Sequence, residues 1–194
     1  ECWTALAYVS TAVPEIGIGT LVTRSSLRTP ALLAKMAATV GAIAPGRLVV
    51  GLGSGDELNK AENVAFGAPF HAGADRVGQL VSTLEVLQRY LKTERAELDD
   101  DFARVSIPSS PRSSEVVPVW LGGRSVEVLE VAGRIADGWN GWGANLDAFV
   151  EDLPSPAKKG PVEVDGTVLE PDESKELVAF VFKTLADPYA GRVN

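Results

Sequence analysis

The stretch Arg47-Leu48-Val49-Val50-Gly51-Leu52-Gly53-Ser54-Gly55-Asp56 passes directly from an apolar run into a glycine-rich turn. A short apolar run without polar alternation predicts a strand that is buried on both faces of a parallel sheet. Residues 16–22, 118–121 and 136–140 form three more short apolar runs. The sequence therefore predicts at least four strands.

Helical patterns alternate with these strands. Thr29-Pro30, a hydroxyl cap followed by proline, opens a predicted helix over residues 31–43. Apolar residues at i, i+3, i+4 and i+7 spacing predict a second helix over 75–91, and a third is predicted over 125–135. This alternation predicts parallel strands joined by crossover helices, in either a doubly wound open sheet or a (β/α)8 barrel. A full barrel takes about 250 residues, so a barrel would be incomplete over this single domain of residues 1–194.

The remaining segments give weaker patterns. Residues 1–9 predict a helix that has no capping residue in front of it, and we expect that residues preceding Glu1 are missing. Residues 92–117 predict a surface excursion in which the acidic run 99–101 is solvated. Further helices are predicted over 147–153 and 173–186, with a turn-rich segment over 154–171.

Composition excludes several classes of function. The chain has 26 acidic and 18 basic residues, a formal charge of −8, and this excess of acid argues against a nucleic-acid partner. One cysteine and one histidine cannot supply a four-ligand structural zinc site, so no metal is expected. No apolar run approaches the roughly 18 residues of a membrane span. We therefore expect a soluble protein of the reducing cytoplasm.

The glycine-rich turn at residues 53–56, the first turn, has two interpretations. It can cradle a phosphate through backbone N–H groups, or it is only a tight connection that needs glycine for its backbone angles. It is not a dinucleotide fingerprint, because Asp56 stands where the third glycine is required. A second glycine pair, Gly122-Gly123, also follows a predicted strand. The carboxyl ends of parallel strands share one rim, where ligand sites form.

Five blocks of the sequence, in this order, resemble the bacterial-luciferase-like superfamily. The blocks are residues 19–22, 27–35, 46–55, 119–123 and 132–140. The resemblance implies a (β/α)8 barrel that binds FMN or the deazaflavin coenzyme F420, and residues 53–56 together with Leu58 and Asn59 resemble the F420-dependent branch. It extends from Glu1 to about Trp142, and the family's first two strands are absent.

The resemblance also implies roles for individual residues. Leu21 and Val22 would form a strand bulge, with a non-proline cis peptide, against the deazaflavin ring. Asp56 would act in proton transfer. The remaining implied residues contact the cofactor: Gly53, Ser54 and Gly55 beside it, and Gly122, Gly123, Arg124 and Ser125 at its phosphate. The last group agrees with the affinity of helix amino termini for anions.

The function implied is an F420-dependent oxidoreductase that transfers a hydride between the deazaflavin and a small organic substrate. The alternatives are an FMN-dependent monooxygenase and a non-catalytic flavin-binding barrel. Relatives often form dimers, and the apolar faces of residues 1–9 and 31–43 would permit a homodimer.

Several residues also have structural interpretations. Asp56 is either a proton-transfer group or a helix cap. Trp139 and Trp142 either stack on a ring or pack at the rim, and His71 is most simply an exposed loop residue. Arg24 and Arg28 either bind the anionic end of a cofactor or form salt bridges.

Overall fold

The computed structural model describes residues 1–141, together with the backbone of two short strands further along the chain. The elements in chain order are α1 (Cys2–Ala12), β1 (Ile18–Arg24), α2 (Pro30–Ile43), β2 (Leu48–Gly53), a 3₁₀ turn (Glu57–Asn59), α3 (Lys60–Ala65), α4 (Gly73–Lys92), β3 (Arg95–Asp99), β4 (Arg104–Pro108), β5 (Val119–Gly122), α5 (Val126–Ile135), β6 (Gly138–Asn140), β7 (Val162–Val164) and β8 (Thr167–Leu169).

The four predicted strands are confirmed as one parallel sheet. Its order is β1-β2-β5-β6, and each neighbouring pair is parallel. The described strands form an open sheet and do not close into a barrel. Helices α2, α4 and α5 contact the strands of this sheet, so the strand–helix alternation read from the sequence is correct.

The core lies between one face of the sheet and these helices. Val50, Leu52, Val119 and Leu121 are fully buried on the sheet side. The predicted apolar stripe of α4 is confirmed, because Leu80, Leu84 and Leu87 are also fully buried, while its outer Glu85 and Arg89 form the expected i,i+4 ion pair at 2.9 Å.

The expectation that α1 lacks a cap is wrong. The Glu1 carboxylate accepts hydrogen bonds from the backbone N–H groups of Trp3 (3.1 Å) and Thr4 (3.0 Å), and it pairs with Arg28. Partial burial acts to raise the pKa of Glu1, but these donors and Arg28 outweigh it and lower the pKa to about 2. Glutamate is an unusual capping residue, which is why the cap was not predicted from the sequence.

The predicted surface excursion over 92–117 is wrong in part. It contains the antiparallel hairpin β3–β4, whose Ala96 and Val105 are buried. The acidic run is the turn of this hairpin, and it is exposed as expected. Asp100 nevertheless accepts hydrogen bonds from the Ser82 hydroxyl (2.6 Å) and from the N–H groups of Phe102 and Ala103 (2.8 Å each), so the turn is fastened to α4.

Asp137 joins α4, β5 and β6 at the amino ends of the strands. Its carboxylate accepts hydrogen bonds from the Val119 backbone N–H (2.9 Å), the Gln88 amide (3.1 Å) and the Lys92 ammonium (2.7 Å). Burial raises the pKa of Asp137, but the three donors together outweigh burial and lower it below its usual value.

The helices predicted over 147–153 and 173–186 lie outside the described residues, as does Trp142. Within the segment predicted as turn-rich, the backbone of β7 pairs antiparallel with β8. Among the described helices, none has both the length and the apolar character required to cross a bilayer.

Candidate functional site

The two glycine-rich turns lie side by side at the carboxyl ends of neighbouring strands. Gly53, the last residue of β2, pairs with Gly122, the last residue of β5. Gly122 in turn pairs with Asn140 of β6. The first turn and the loop over residues 122–125, the second turn, therefore share one rim of the sheet, in the placement that the sequence predicted.

A bulge in β1 brings an apolar step to the same rim. The pairing of β1 with β2 shifts register between Thr20 and Thr23, and the peptide bond between Leu21 and Val22 is cis. Leu21 is 58% exposed and Val22 is 38% exposed. Exposed apolar side chains beside a sheet edge are suited to contact a flat ring system.

Val22 explains why two of the rim residues are glycine. A Cβ atom on Gly53 would lie 2.5 Å from Val22 Cγ2, and one on Gly122 would lie 2.7 Å from Val22 Cγ1. The two methyl groups of Val22 therefore occupy the space that the missing side chains leave. At these positions glycine is required by the bulge, whatever binds at the rim.

Asp56 has the capping geometry that was its structural alternative. Its Oδ1 accepts from the Leu58 N–H at 3.0 Å, while its own N–H donates to Asn59 Oδ1 at 2.9 Å. This capping box begins the 3₁₀ turn, and Asp56 is exposed to solvent. Gly55, with φ of +72°, makes the preceding reversal. Ser54 is half-buried, and its hydroxyl donates to the Gly55 carbonyl at 3.1 Å.

Arg24 fastens the segment after the first turn to the end of β1. Its guanidinium pairs with Glu62 and donates to Asn63 Oδ1 at 3.2 Å. Asn63 is fully buried, and its amide donates to the Pro69 carbonyl at 2.9 Å. The salt-bridge interpretation therefore describes Arg24 and, through the ion pair with Glu1, also Arg28.

His71 is half-buried rather than exposed, because its ring meets Phe102 edge-on with centroids 5.6 Å apart.

The second turn leads into α5. Gly123 has φ of +137°, a conformation that side-chain-bearing residues rarely adopt. Ser125 caps α5 by accepting from the Val128 N–H at 3.4 Å, and Gly123, Arg124 and Ser125 are all exposed. The indole N–H of Trp139 donates to the Gly123 carbonyl at 2.7 Å, so Trp139 packs at the rim through a hydrogen bond.

Glu127, in the first turn of α5, is a residue that the sequence analysis missed. Its own backbone N–H and the neighbouring Ser125 side chain lower the pKa of Glu127. Glu127 therefore places a negative charge at the amino end of α5, where an external anion would also bind. The available signal was an acidic residue two positions after the capping serine.

An apolar concavity of about 300 Å³ lies on the sheet face opposite the helices. Leu21, Val49 and Trp120 line it together with Gly19 and Gly51. Within residues 1–141 and the two short strands, no group of three or more histidine, cysteine, aspartate or glutamate residues is arranged to hold a metal ion.

Comparison with known proteins identifies the family of this chain. Residues 1–160 match the model of the luciferase-like monooxygenase family. The chain belongs to the luciferase-like monooxygenase family.

Two curated relatives of this luciferase-like protein are F420-dependent glucose-6-phosphate dehydrogenases. The protein from Intrasporangium calvum is 29% identical over 136 residues, which cover 69% of this chain and 41% of that protein. The one from Nakamurella multipartita is 27% identical over 167 residues, covering 85% of this chain and 48% of the relative. The luciferase-like chain thus spans about half the length, or less, of these relatives.

Solved structures agree on the fold. An F420-dependent secondary alcohol dehydrogenase, in complex with an F420-acetone adduct, matches with a TM-score of 0.63 and 18% identity, covering 78% of this chain and 48% of that one. The monooxygenase RslO1 from Streptomyces bottropensis matches with a TM-score of 0.67 and 18% identity, covering 78% and 46%. The luciferase-like protein therefore has the TIM-barrel fold of its family, and its four described parallel strands form an open part of that barrel.

Proposed function

We propose that this luciferase-like protein is an F420-dependent oxidoreductase that transfers a hydride between the deazaflavin and a small organic substrate. The observation that carries the proposal is the shared rim, where the exposed apolar step of Leu21 and Val22 lies on the same edge as the amino end of α5. The names of the curated relatives support F420 as the cofactor.

The chemistry of the rim fits such a cofactor. Leu21 and Val22 offer an apolar surface for one face of the ring, and the second turn offers backbone N–H groups at a helix amino end for the phosphate. Arg124 adds a guanidinium group at the same turn. The negative charge of Glu127, in the first turn of α5, opposes an anion at this end of the helix. Gly53 and Gly122 would act indirectly, by admitting Val22.

When bound, the deazaflavin would supply the carbon that gives or accepts the hydride. The share of the chain is to orient the ring, to exclude water and to handle the accompanying proton. Asp56 is the proposed proton-transfer group. Its capping bond uses Oδ1, and the carboxylate is exposed at the rim.

Two substitutions separate the capping and proton-transfer roles of Asp56. Asparagine caps helices about as well as aspartate, whereas alanine does not. We therefore expect Asp56→Asn to keep the stability of the wild type and to lose most of the turnover, with the loss visible as a changed pH profile of kcat. Asp56→Ala should lose both. An Asp56→Asn variant with wild-type turnover would remove Asp56 from the chemistry.

Titration of the purified protein with F420 and with FMN tests the cofactor directly. Tight uptake of F420, followed by turnover with glucose 6-phosphate or a secondary alcohol, is the expected result. Uptake of FMN with consumption of oxygen would make the protein an FMN-dependent monooxygenase instead. Binding without turnover would indicate a non-catalytic barrel, and binding of neither cofactor would overturn the proposal.

Two further features belong to the proposal. Tyr8 of α1 and Leu32 of α2 are 73% and 52% exposed, and a homodimer through these helices would cover them. Light scattering of the purified protein, with and without Leu32→Glu, tests the dimer, which this substitution should dissociate.

A cytoplasmic location is proposed from the low cysteine content of the sequence.

A further inference from the structure

We propose that Trp139 is a positioning residue for the phosphate end of the cofactor, because its indole N–H fixes the orientation of the second turn. The inference deepens the proposed function and rests on it. Trp139 pairs with Leu121 across β5 and β6, so its backbone is held by the sheet and its ring reaches over the end of β5.

The hydrogen bond itself is well formed. The distance from Trp139 Nε1 to the Gly123 carbonyl oxygen is 2.7 Å, at the short end of the range for N–H···O bonds. The Trp139 side chain is half-buried and packs against the hydrophobic core. The donor is therefore a fixed group that belongs to the scaffold.

Because a peptide unit is planar, the hydrogen bond to the Gly123 carbonyl also sets the orientation of the Arg124 N–H. The carbonyl of Gly123 and the N–H of Arg124 belong to one planar trans peptide unit, so they point in opposite directions. Holding the Gly123 oxygen toward the indole consequently turns the Arg124 N–H away from Trp139. Gly123 cannot fix this orientation alone, since glycine is free to rotate and its φ is +137°.

The sequence left Trp139 open between stacking on a ring and packing at the rim. The hydrogen bond assigns the indole to the turn. Trp139 thus acts on the phosphate group of a cofactor through the backbone of the second turn.

The test compares probes that differ only in the phosphate end. Trp139→Phe keeps an aromatic ring and removes the N–H. We expect this variant to bind FMN, and F420, about two- to twelve-fold more weakly, the fold-change that corresponds to one hydrogen bond. Binding of riboflavin, and of the deazaflavin without its phosphate arm, should not change. Trp3→Phe is the matched control, because the Trp3 indole is buried on α1 and its N–H has no partner among the described residues.

Equal loss of both probes in Trp139→Phe, or no loss at all, would overturn the inference. Amide NMR spectra of the free proteins give a second readout. The Arg124 amide resonance should move in Trp139→Phe and stay in place in Trp3→Phe, and an unmoved resonance in Trp139→Phe also overturns the inference.

If the wild type binds no probe, the proposed function fails, and with it the cofactor role of Trp139. The NMR result still decides whether Trp139 orients the turn. If Trp139→Phe does not fold, solvent exchange of the wild-type indole N–H decides, with slow exchange expected and fast exchange contradicting the bond.

Discussion

Replacement of Gly53 by alanine should destabilise the protein. In an ordinary strand interior the same replacement is stabilising by about 0.5–1 kcal/mol. The new Cβ would lie 2.5 Å from Val22 Cγ2, whereas carbon atoms in van der Waals contact are about 3.5–4.0 Å apart. The bulge therefore has to move by about 1 Å or more. Overpacking of this kind costs about 1–3 kcal/mol.

A double-mutant cycle with Val22→Ala isolates this contact. Val22 is 38% exposed, so removing its two methyl groups should cost only about 1 kcal/mol. In the Gly53→Ala/Val22→Ala variant the clashing methyl group is gone. We expect that variant to be about as stable as Val22→Ala alone, which corresponds to a favourable coupling of about 1–3 kcal/mol.

Urea unfolding, followed by tryptophan fluorescence, measures the four free energies of the cycle. Gly51→Ala is the control, because a Cβ on Gly51 meets the backbone carbonyl of Thr20, which Val22→Ala does not remove. The Gly51→Ala loss should therefore persist in the Val22→Ala background. If Val22→Ala recovers none of the Gly53→Ala loss, the side chain of Val22 is not what requires glycine at position 53.

Three other predictions concern residues around this rim and beneath it. Glu127→Gln should raise the affinity for FMN or F420 by about two- to fivefold at low salt, and less at high salt, because a competing carboxylate leaves the end of α5; calorimetric titration at two ionic strengths checks this, and weaker binding would contradict it. Asp137→Ala should cost about 1–3 kcal/mol at neutral pH, since the Val119 N–H loses its acceptor. Because folding lowers the pKa of Asp137, the stabilisation is present above about pH 4 and is lost as the pH falls through the folded-state pKa; unfolding measured from pH 7 to pH 3 should show the wild type and variant converging. Tyr90→Phe should cost about 1–3 kcal/mol, because the buried hydroxyl donates to the Ser110 carbonyl (2.6 Å) and accepts from its N–H (3.1 Å); thermal unfolding checks this, and an unchanged Tm would show that both groups find other partners.

The sequence predicted those parts of the fold whose signals are local. The Thr29-Pro30 entry to α2 and the apolar stripe of α4 appear in the structure as expected. The β3–β4 hairpin was missed, because each strand has only five residues and the turn between them is a run of acids that is typical of solvated loops.

The candidate site depended more on contacts that sequence spacing does not report. That the two glycine turns share one rim followed from the prediction of parallel strands, whereas their adjacency required the observed strand order. That Val22 fills the space at Gly53 and Gly122 requires knowledge of the bulge, which brings residues 31 and 100 positions apart into contact. The Asp56 capping box was half visible, since the cap was weighed but its partner Asn59 was not.

Strand β5 separates two regions of different function: the Asp137 contacts at its amino end and the second turn at its carboxyl end. At its first residue the Asp137 carboxylate holds the scaffold, and after its last residue comes the second turn. The strand has four residues, so these ends lie about 10 Å apart, a separation at which the effects of mutations on stability usually add. Libraries that diversify rim residues other than Trp139 for new substrates can therefore be combined with stabilising changes near Asp137, with little risk that one set cancels the benefit of the other.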